Sequence, residues 1–302
     1  ILNYLDSTKA TLLDVQEIRN LSFDSRGNVL ESRIATFSDL EKTQLLDVKV
    51  IKNEGLDAQG NAQKVTIWKY RDGSLDGEVI NYSNLIDVTV IETSSFDLRG
   101  NALNQTIKKY SDELVTTLVE TQTITNSNFD FHDRVAHSSI TTTNSLNQFV
   151  DRQEIDYLSY DQFGNVIDQT ISRYTSTDSL IDYKVIHNSY DDALAARRGN
   201  ATHTTINRYT SNTVLNETTR IERQEISNKS FDGIGNVVDQ EISLYVVDQT
   251  SGTEKLSRKT VIHNSQISNS GDAANQEITT YSTDASGTLI LKETSYQLIT
   301  NR

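Results

Sequence analysis

The chain alternates apolar and polar residues in short runs, and the alternation follows one pattern that returns along the sequence. The two best-preserved segments are Ile226 to Tyr245 (ISNKSFDGIGNVVDQEISLY) and Ile155 to Tyr174 (IDYLSYDQFGNVIDQTISRY). Their consensus is I-x-N-x-S-Φ-D-x-x-G-N-V-x-x-Q-x-I-x-x-Y, where Φ is aromatic. Runs of Thr, Val, Ile and Tyr on both sides of an Asp-x-x-Gly-Asn segment are typical of two strands joined by a tight turn. The pattern therefore predicts a β-hairpin.

The same pattern can be aligned along the whole chain, which indicates a tandem repeat. The copies start at Ile18, Ile51, Ile91, Ile124, Ile155, Ile186, Ile226 and Ile262. The span from start to end is constant except in the sixth copy, where residues 191–198 enlarge the turn. We predict repeats at 5–37, 38–70, 71–110, 111–143, 144–174, 175–209, 210–245 and 246–281, with the end of a preceding repeat at 1–4 and the start of a ninth at 282–302.

The repeated turn has a recognisable chemistry. Asp occupies the first position of a type I turn and Gly the fourth, where a positive φ forms a bulge. The predicted structural turn residues are Asp24, Gly27, Asp97, Gly100, Asp161, Gly164, Asp232 and Gly235. The fourth copy has Asp133 and Arg134 in place of Gly-Asn, so we expect its turn to be strained or different.

Counting outward from such a turn predicts the strand register. It pairs Phe23 with Val29, Ser22 with Leu30, Asn20 with Ser32 and Ile18 with Ile34, and alternation then puts the isoleucines on one face. We expect the isoleucine face to be covered and the other face, with Arg19 and Arg33, to be mostly wet. The predicted ladder residues are Ile18, Ile34, Ile155, Ile171, Ile226, Ile242, Asn228 and Gln240.

These features predict an all-β fold class, tandem antiparallel β-hairpin repeats that form an extended sheet or solenoid-like stack. There are about eight copies of roughly 35 residues. Ile1 and Tyr4 fit the close of a copy, and Ile299 and Asn301 fit the opening of another. We therefore expect the chain to belong to a longer array, with open edges that join further copies.

Composition limits the partners. The formal net charge is −14 and the pI is about 4.8, which argues against nucleic acid because a phosphate backbone requires clustered Lys and Arg. No apolar run is long enough for a membrane-spanning helix, so we expect no membrane insertion. The absence of Cys and Pro fits an array held by backbone ladders, because each Pro removes a donor.

The turn motifs FDSRGNV (Phe23 to Val29), YDQFGNV (Tyr160 to Val166) and FDGIGNV (Phe231 to Val237) resemble the YD repeats of RHS and teneurin-like proteins. In that family, strand-turn-strand units wind into a large extracellular or toxin-encapsulating β shell. The resemblance implies a surface-exposed or secreted β structure and brings no catalytic residue. The chain departs from the family in its longer period and in lacking a second Gly and a recurrent Tyr-x-Tyr-Asp.

The sequence offers few chemical constellations. Asp191 and Asp192 in the enlarged turn are weak calcium candidates, since calcium prefers several oxygen ligands. His187 and His263 recur in Val-Ile-His-Asn-Ser strings and are interpreted as surface residues. Trp68, the sole Trp, could stack on a sugar ring or pack across strands. No motif of a nucleophile, a phosphate-binding loop or a zinc protease is present, so we predict no catalytic residue and no cofactor other than, at most, calcium.

The leading functional hypothesis is an extracellular or cell-surface structural repeat array, the shaft of a filament, a surface layer or a giant adhesin stalk, without enzymatic activity. Its expected partners are further copies of itself or flanking repeats of the same long chain. The alternatives are an adhesin or carbohydrate-binding module that contacts surface glycans, or a shell segment of an RHS-like toxin.

Overall fold

The computed structural model describes residues 1–4, 8–9, 12–233, 235–248, 251–268, 271, 273–284, 286 and 288–300. The predicted repeat boundary at residue 5 and the repeat residue Asn301 lie outside the described residues. The chain divides into two compact units, Ile1–Glu154 and Ile155–Arg302, and each is described by itself.

Strands dominate both units. The first contains β1 (Leu2–Tyr4), β2 (Leu12–Phe23), β3 (Val29–Phe37), β4 (Leu45–Leu56), β5 (Ala62–Asp76), β6 (Val79–Phe96), β7 (Ala102–Tyr110), β8 (Leu118–Ser127) and β9 (His137–Asn144). The boundary between the two units falls within strand β10 (Phe149–Tyr160). The second contains β11 (Val166–Tyr174), β12 (Leu180–Ser189), α1 (Ala193–Arg198), β13 (His203–Tyr209), β14 (Arg220–Phe231), β15 (Val237–Val247), β16 (Glu254–Ile267), β17 (Ala273–Thr283) and β18 (Leu289–Thr300).

Within each unit, strands that follow one another in the chain pair antiparallel, which confirms the predicted fold class of consecutive hairpins. In the first hairpin Phe23 pairs with Val29, Asn20 with Ser32 and Ile18 with Ile34, as the turn predicts. Ser22 instead pairs with Glu31, because the register shifts on both sides of Ser22. The predicted pairing of Ser22 with Leu30 is therefore wrong.

Successive hairpins are staggered. Between hairpins, Ser32 pairs with Ile51 and Gln240 pairs with Ile262, so an isoleucine lies opposite the Ser or Gln position of the preceding copy. Equivalent isoleucines face each other only within a hairpin, as Ile226 and Ile242 do. The expected columns of equivalent isoleucines are therefore not continuous, because the isoleucine of each new hairpin lies two residues away from the position opposite the isoleucine of the preceding hairpin.

The main core of the first unit lies on the face that carries Arg19 and Arg33, which we call the arginine face. Its buried cluster contains Val15, Ala35, Phe37, Val48, Val50, Tyr70 and Ile80. Ile18 and Ile34, on the isoleucine face, are only half-buried. The prediction that the arginine face is mostly wet is therefore wrong in this unit.

The cover for this face is the end of the β5–β6 hairpin, residues 72–83. Arg33 Nη1 donates to the Ile80 carbonyl at 3.0 Å, and its guanidinium lies 5.0 Å from the Tyr82 ring centroid. At Gly73 an added Cβ would come within 2.7 Å of the Val48 side chain and 2.4 Å of the Asn81 carbonyl oxygen. The hairpin end folds onto β2–β4 and buries Ile80, which is 1% exposed.

In the second unit, isoleucines contribute more to the buried positions. Ile155 and Ile186 are buried, whereas Ile171, Ile226 and Ile242 are half-buried. The enlarged sixth turn forms the short helix α1, which buries Ala195 and Ala196 and ends at Gly199 in the left-handed conformation.

Candidate functional site

Each repeated turn is closed by its own aspartate. Asp24 Oδ1 accepts the backbone N–H groups of Arg26 at 2.8 Å and Asn28 at 2.9 Å, and Oδ2 accepts the Asn28 side-chain amide at 2.9 Å. These bonds, the one from the Asn28 side chain first, lower the pKa of Asp24 to about 2. The same Asp-to-Asn bonds are present at Asp57, Asp97, Asp161 and Asp232. The oxygens of each carboxylate therefore accept hydrogen bonds from residues of the same turn.

The turn glycines adopt the conformation that the pattern requires. Gly27, Gly100, Gly164 and Gly235 have φ values of 87°, 90°, 88° and 96°. Only glycine occupies this region of positive φ without a steric penalty. In the fourth copy Asp133 takes the position with φ 62°, and the turn keeps its backbone bonds. The turn is therefore the same one with a non-glycine residue in the left-handed region, and Arg134 replaces Asn as the side chain bound to Asp130, at 2.8 Å.

Within each unit, neighbouring turns are bound to one another in a row that we call the turn spine. The Asn101 amide donates to Asp133 at 2.9 Å, and the Asn200 amide donates to the Gly235 carbonyl at 2.7 Å. Arginines reach across in the same way, with Arg99 Nη1 bonded to the Asp130 carbonyl at 2.8 Å. The recurring turn residues thus form contacts between copies as well as within the turn itself.

Where the third residue of the repeat is Asn, as it is in most copies, its side chain can bind the hairpin to the one before it, and it does so in five copies. The Asn228 side chain donates to the Ala201 carbonyl at 2.8 Å and accepts from Gln240 Nε2 at 2.8 Å. Bonds of the first kind recur at Asn53, Asn126, Asn188 and Asn264. The sequence predicted Asn228 and Gln240 as partners inside a hairpin, and the structure adds the bond that connects successive hairpins.

Trp68 and Tyr70 meet the loop between β7 and β8. The Trp68 indole N–H donates to the Glu113 carbonyl at 3.1 Å, and the Tyr70 hydroxyl donates to Glu113 Oε1 at 2.7 Å. Burial, and then the Glu113 carboxylate, raise the pKa of Tyr70. Trp68 also packs against the buried cluster, so it contributes to the core of the first unit.

Both calcium candidates, Asp191 and Asp192, accept hydrogen bonds from nearby residues. Asp192 Oδ1 caps α1 by accepting the Ala195 N–H at 2.7 Å, and Asp191 Oδ2 accepts the Thr202 hydroxyl at 3.1 Å. Within the described part of the chain, no group of three or more His, Cys, Asp or Glu side chains has a geometry that could hold a metal ion.

The recurring histidines His187 and His263 have carboxylate partners that the sequence spacing did not indicate. His187 Nδ1 lies 2.7 Å from Asp168 Oδ1, whose other oxygen accepts the Ser159 hydroxyl at 2.6 Å. The Ser159 bond, and then the His187 bond, lower the pKa of Asp168. His263, Asp239 and Ser230 repeat the arrangement. The partners lie on different strands, so only the register could have revealed them, and the carboxylate between Ser and His leaves no base positioned on the Ser hydroxyl.

A buried carboxylate lies on the isoleucine face of the second unit. Asp182 is 1% exposed, and its Oδ2 accepts from Arg173 Nη2 at 3.0 Å and Arg208 Nε at 2.9 Å. Arg208 continues to Glu222 at 3.4 Å. A buried charge is tolerated only with such pairing, so the two arginines compensate the burial of the Asp182 carboxylate.

No helix in the described residues has both the length and the apolarity needed to cross a membrane. No protein-family model matches the chain, and no curated protein matches it. Among solved structures it is similar to a chain of the TcdB2-TccC3 crystal structure, with 12% identity and a TM-score of 0.20 over 89% of this chain and 20% of that one. For a chain of the Photorhabdus luminescens Tc holotoxin pore, the identity is 13% and the TM-score is 0.18 over 97% of this chain and 16% of that one. The chain thus spans about a fifth of the length of these proteins.

Proposed function

We propose that the chain is a non-catalytic structural array, part of an extracellular or surface-exposed shaft or stalk. The observation that supports the proposal is the repeated connection between copies: an Asn amide and the turn spine join successive hairpins in addition to the backbone ladder. Nearest-neighbour contacts of this kind allow an array to be extended copy by copy. The turn carboxylates, which accept hydrogen bonds within their own turns, fit a structural role in such an array.

The proposed partner is a further hairpin of the same kind, from another copy or from flanking repeats. In β18, Ile299 pairs with Gln276 as Ile262 pairs with Gln240 one copy earlier, so β18 has the position of a first hairpin strand. Tyr296 and Leu298 of this strand are 55% and 60% exposed. A second strand that paired with β18 would cover such side chains, because sheet edges serve as templates for additional strands.

Sedimentation and electron microscopy over a range of protein concentrations test this proposal. We expect linear assemblies, and we expect Leu298→Lys to abolish them, because a lysine on an edge strand opposes the addition of a further strand. The control is Leu114→Lys, which changes a leucine in the β7–β8 loop that is more exposed than Leu298, 83% against 60%. A strictly monomeric parent chain, or assemblies that survive Leu298→Lys, would contradict it.

The resemblance of the turn motifs to YD repeats supplies the alternative, a shell segment of an RHS-like protein. In that case the strands would continue around a closed surface within one long chain, and purified protein would not polymerise. The same sedimentation experiment therefore separates the two proposals.

A further inference from the structure

A cleft on the arginine face of the first unit has the features of a binding site. Its volume is about 300 Å³, at the lower end of the usual range for small-ligand sites. Thr66 and Val90, each 4% exposed, form its floor. One wall contains Trp68, Tyr110 and Val115. The cleft therefore combines an aromatic wall with a buried floor.

The opposite wall is ionised and balanced in charge. It contains Lys52, Glu54, Lys64 and Glu92. Glu54 lies 3.3 Å from the Lys52 ammonium and 3.1 Å from that of Lys64, while Lys108 pairs with Glu92 at 3.0 Å. The wall thus presents strong donors and acceptors side by side. The lining itself carries two ammonium groups and two carboxylates, so it favours a ligand that offers hydroxyl groups and carries no net charge.

The third feature is a strained loop at the edge of the cleft. Val115 has φ 60°, a conformation that is a genuine outlier for a β-branched residue. Asp112 fixes the loop by accepting the N–H groups of Leu114 and Thr116, at 3.1 Å each, and of Thr117. The equivalent loop after β3 has the unbranched Lys42 at this position, with φ 58°. Strain of this kind persists where surrounding contacts fix it, and it concentrates at binding sites.

We propose that this cleft binds the ring of a neutral hexopyranose, free or as the terminal residue of a glycan. The faces of Trp68 and Tyr110 would pack against the apolar face of the sugar, since aromatic side chains offer large apolar contact areas. The carboxylates of Glu54 and Glu92 would accept from ring hydroxyls, and Lys52 and Lys64 would donate to them. Val115 would close one end of the site and limit the size of the sugar that fits.

The sole tryptophan makes the test direct, because all tryptophan fluorescence of the chain comes from Trp68. The probes are the methyl glycosides of glucose, galactose and mannose, with methyl glucuronide as the charged comparison. We expect a saturable change in emission with at least one neutral glycoside at millimolar concentrations, and weaker binding of the glucuronide. A lack of saturable change with every neutral glycoside, or tighter binding of the glucuronide, would overturn the proposal.

Two variants locate the site. Glu92→Gln should weaken binding by about tenfold, because it removes a charged acceptor and leaves the strand pairing intact. Lys69→Gln is the matched control on the opposite face of β5, and we expect its affinity to be unchanged. Equal affinities for Glu92→Gln and the parent chain, with both proteins folded by circular dichroism, would place the sugar elsewhere and contradict the assignment.

Discussion

Each turn aspartate accepts hydrogen bonds from the residues that close its own turn, and this use explains why the residue recurs. The bonded form is the carboxylate, so the bonds stabilise the ionised state and depress the pKa, to about 2 at Asp24 and at Asp130. The sequence predicted these residues and their turn role from the Asp-x-x-Gly-Asn spacing alone, since the interaction is local. It could not reveal the Ser159–Asp168–His187 rung, whose members are distant in sequence and meet only through the register.

The turn carboxylates predict acid sensitivity. A folded-state pKa below the ordinary value of 3.8 means that the stabilisation is present above that value and is lost as the pH falls towards about 2. Asp24→Asn should therefore lose less stability over this window than the parent chain, as measured by urea unfolding at several pH values. Equal acid-induced losses in the two proteins would show that Asp24 is not ionised and bonded as described.

The turn glycines predict a second effect at this scale. Gly164 has φ 88° and open space around the position of an added Cβ, so a substitution there meets a conformational penalty without a clash. Gly164→Val should destabilise the chain by about 1–2 kcal/mol. Gln162→Val in the same exposed turn is the control, and thermal unfolding compares the two. Comparable losses would mean that the positive φ is unimportant.

At the scale of the elements, hairpins are joined by side-chain amides as well as by backbone pairing. The sequence showed that an Asn recurs in the third position of the repeat. Its side chain donates to a carbonyl in the preceding hairpin, and the pattern of a single repeat does not include that partner. The stagger between copies has the same origin, because it depends on how two hairpins meet. The local register near Ser22 was missed because a bulge depends on backbone conformation that the alternation of residues does not specify.

The hydrogen bonds of the Asn228 side chain predict that its removal lowers the stability of the fold. Asn228→Ala removes one bond to the Ala201 carbonyl and one from Gln240, leaving both partners half-buried. We expect a loss of about 2 kcal/mol in the free energy of unfolding. Lys229→Ala, on the adjacent exposed residue, is the control and should change it by less than about 0.5 kcal/mol. If the two variants were equally stable, the connection between hairpins would rest on the backbone alone.

At the scale of the whole chain, each unit combines repeats with segments that depart from them. The repeats supply strands and turns, whereas the core of the first unit requires residues 72–83, an insertion in the joining segment between β-hairpins. This segment lies outside the repeat pattern, so the pattern does not predict where it packs. The face that it covers follows from contacts between distant residues, such as Arg33 with Ile80, so the hydrophobic pattern of the repeat alone pointed to the wrong face.

This arrangement predicts which apolar residues matter most in the first unit. Ile80→Ala should cost about 3 kcal/mol, because Ile80 is 1% exposed and its truncation leaves a cavity between the folded hairpin end and the arginine face. Ile34→Ala, on the half-buried isoleucine face, should cost less, and Val79→Ala, at a position that is 49% exposed, should cost least. Urea unfolding of the three variants gives the order. If Ile34→Ala were the most damaging, the isoleucine face would be the true core, and residues 72–83 would be a dispensable loop on a wet surface.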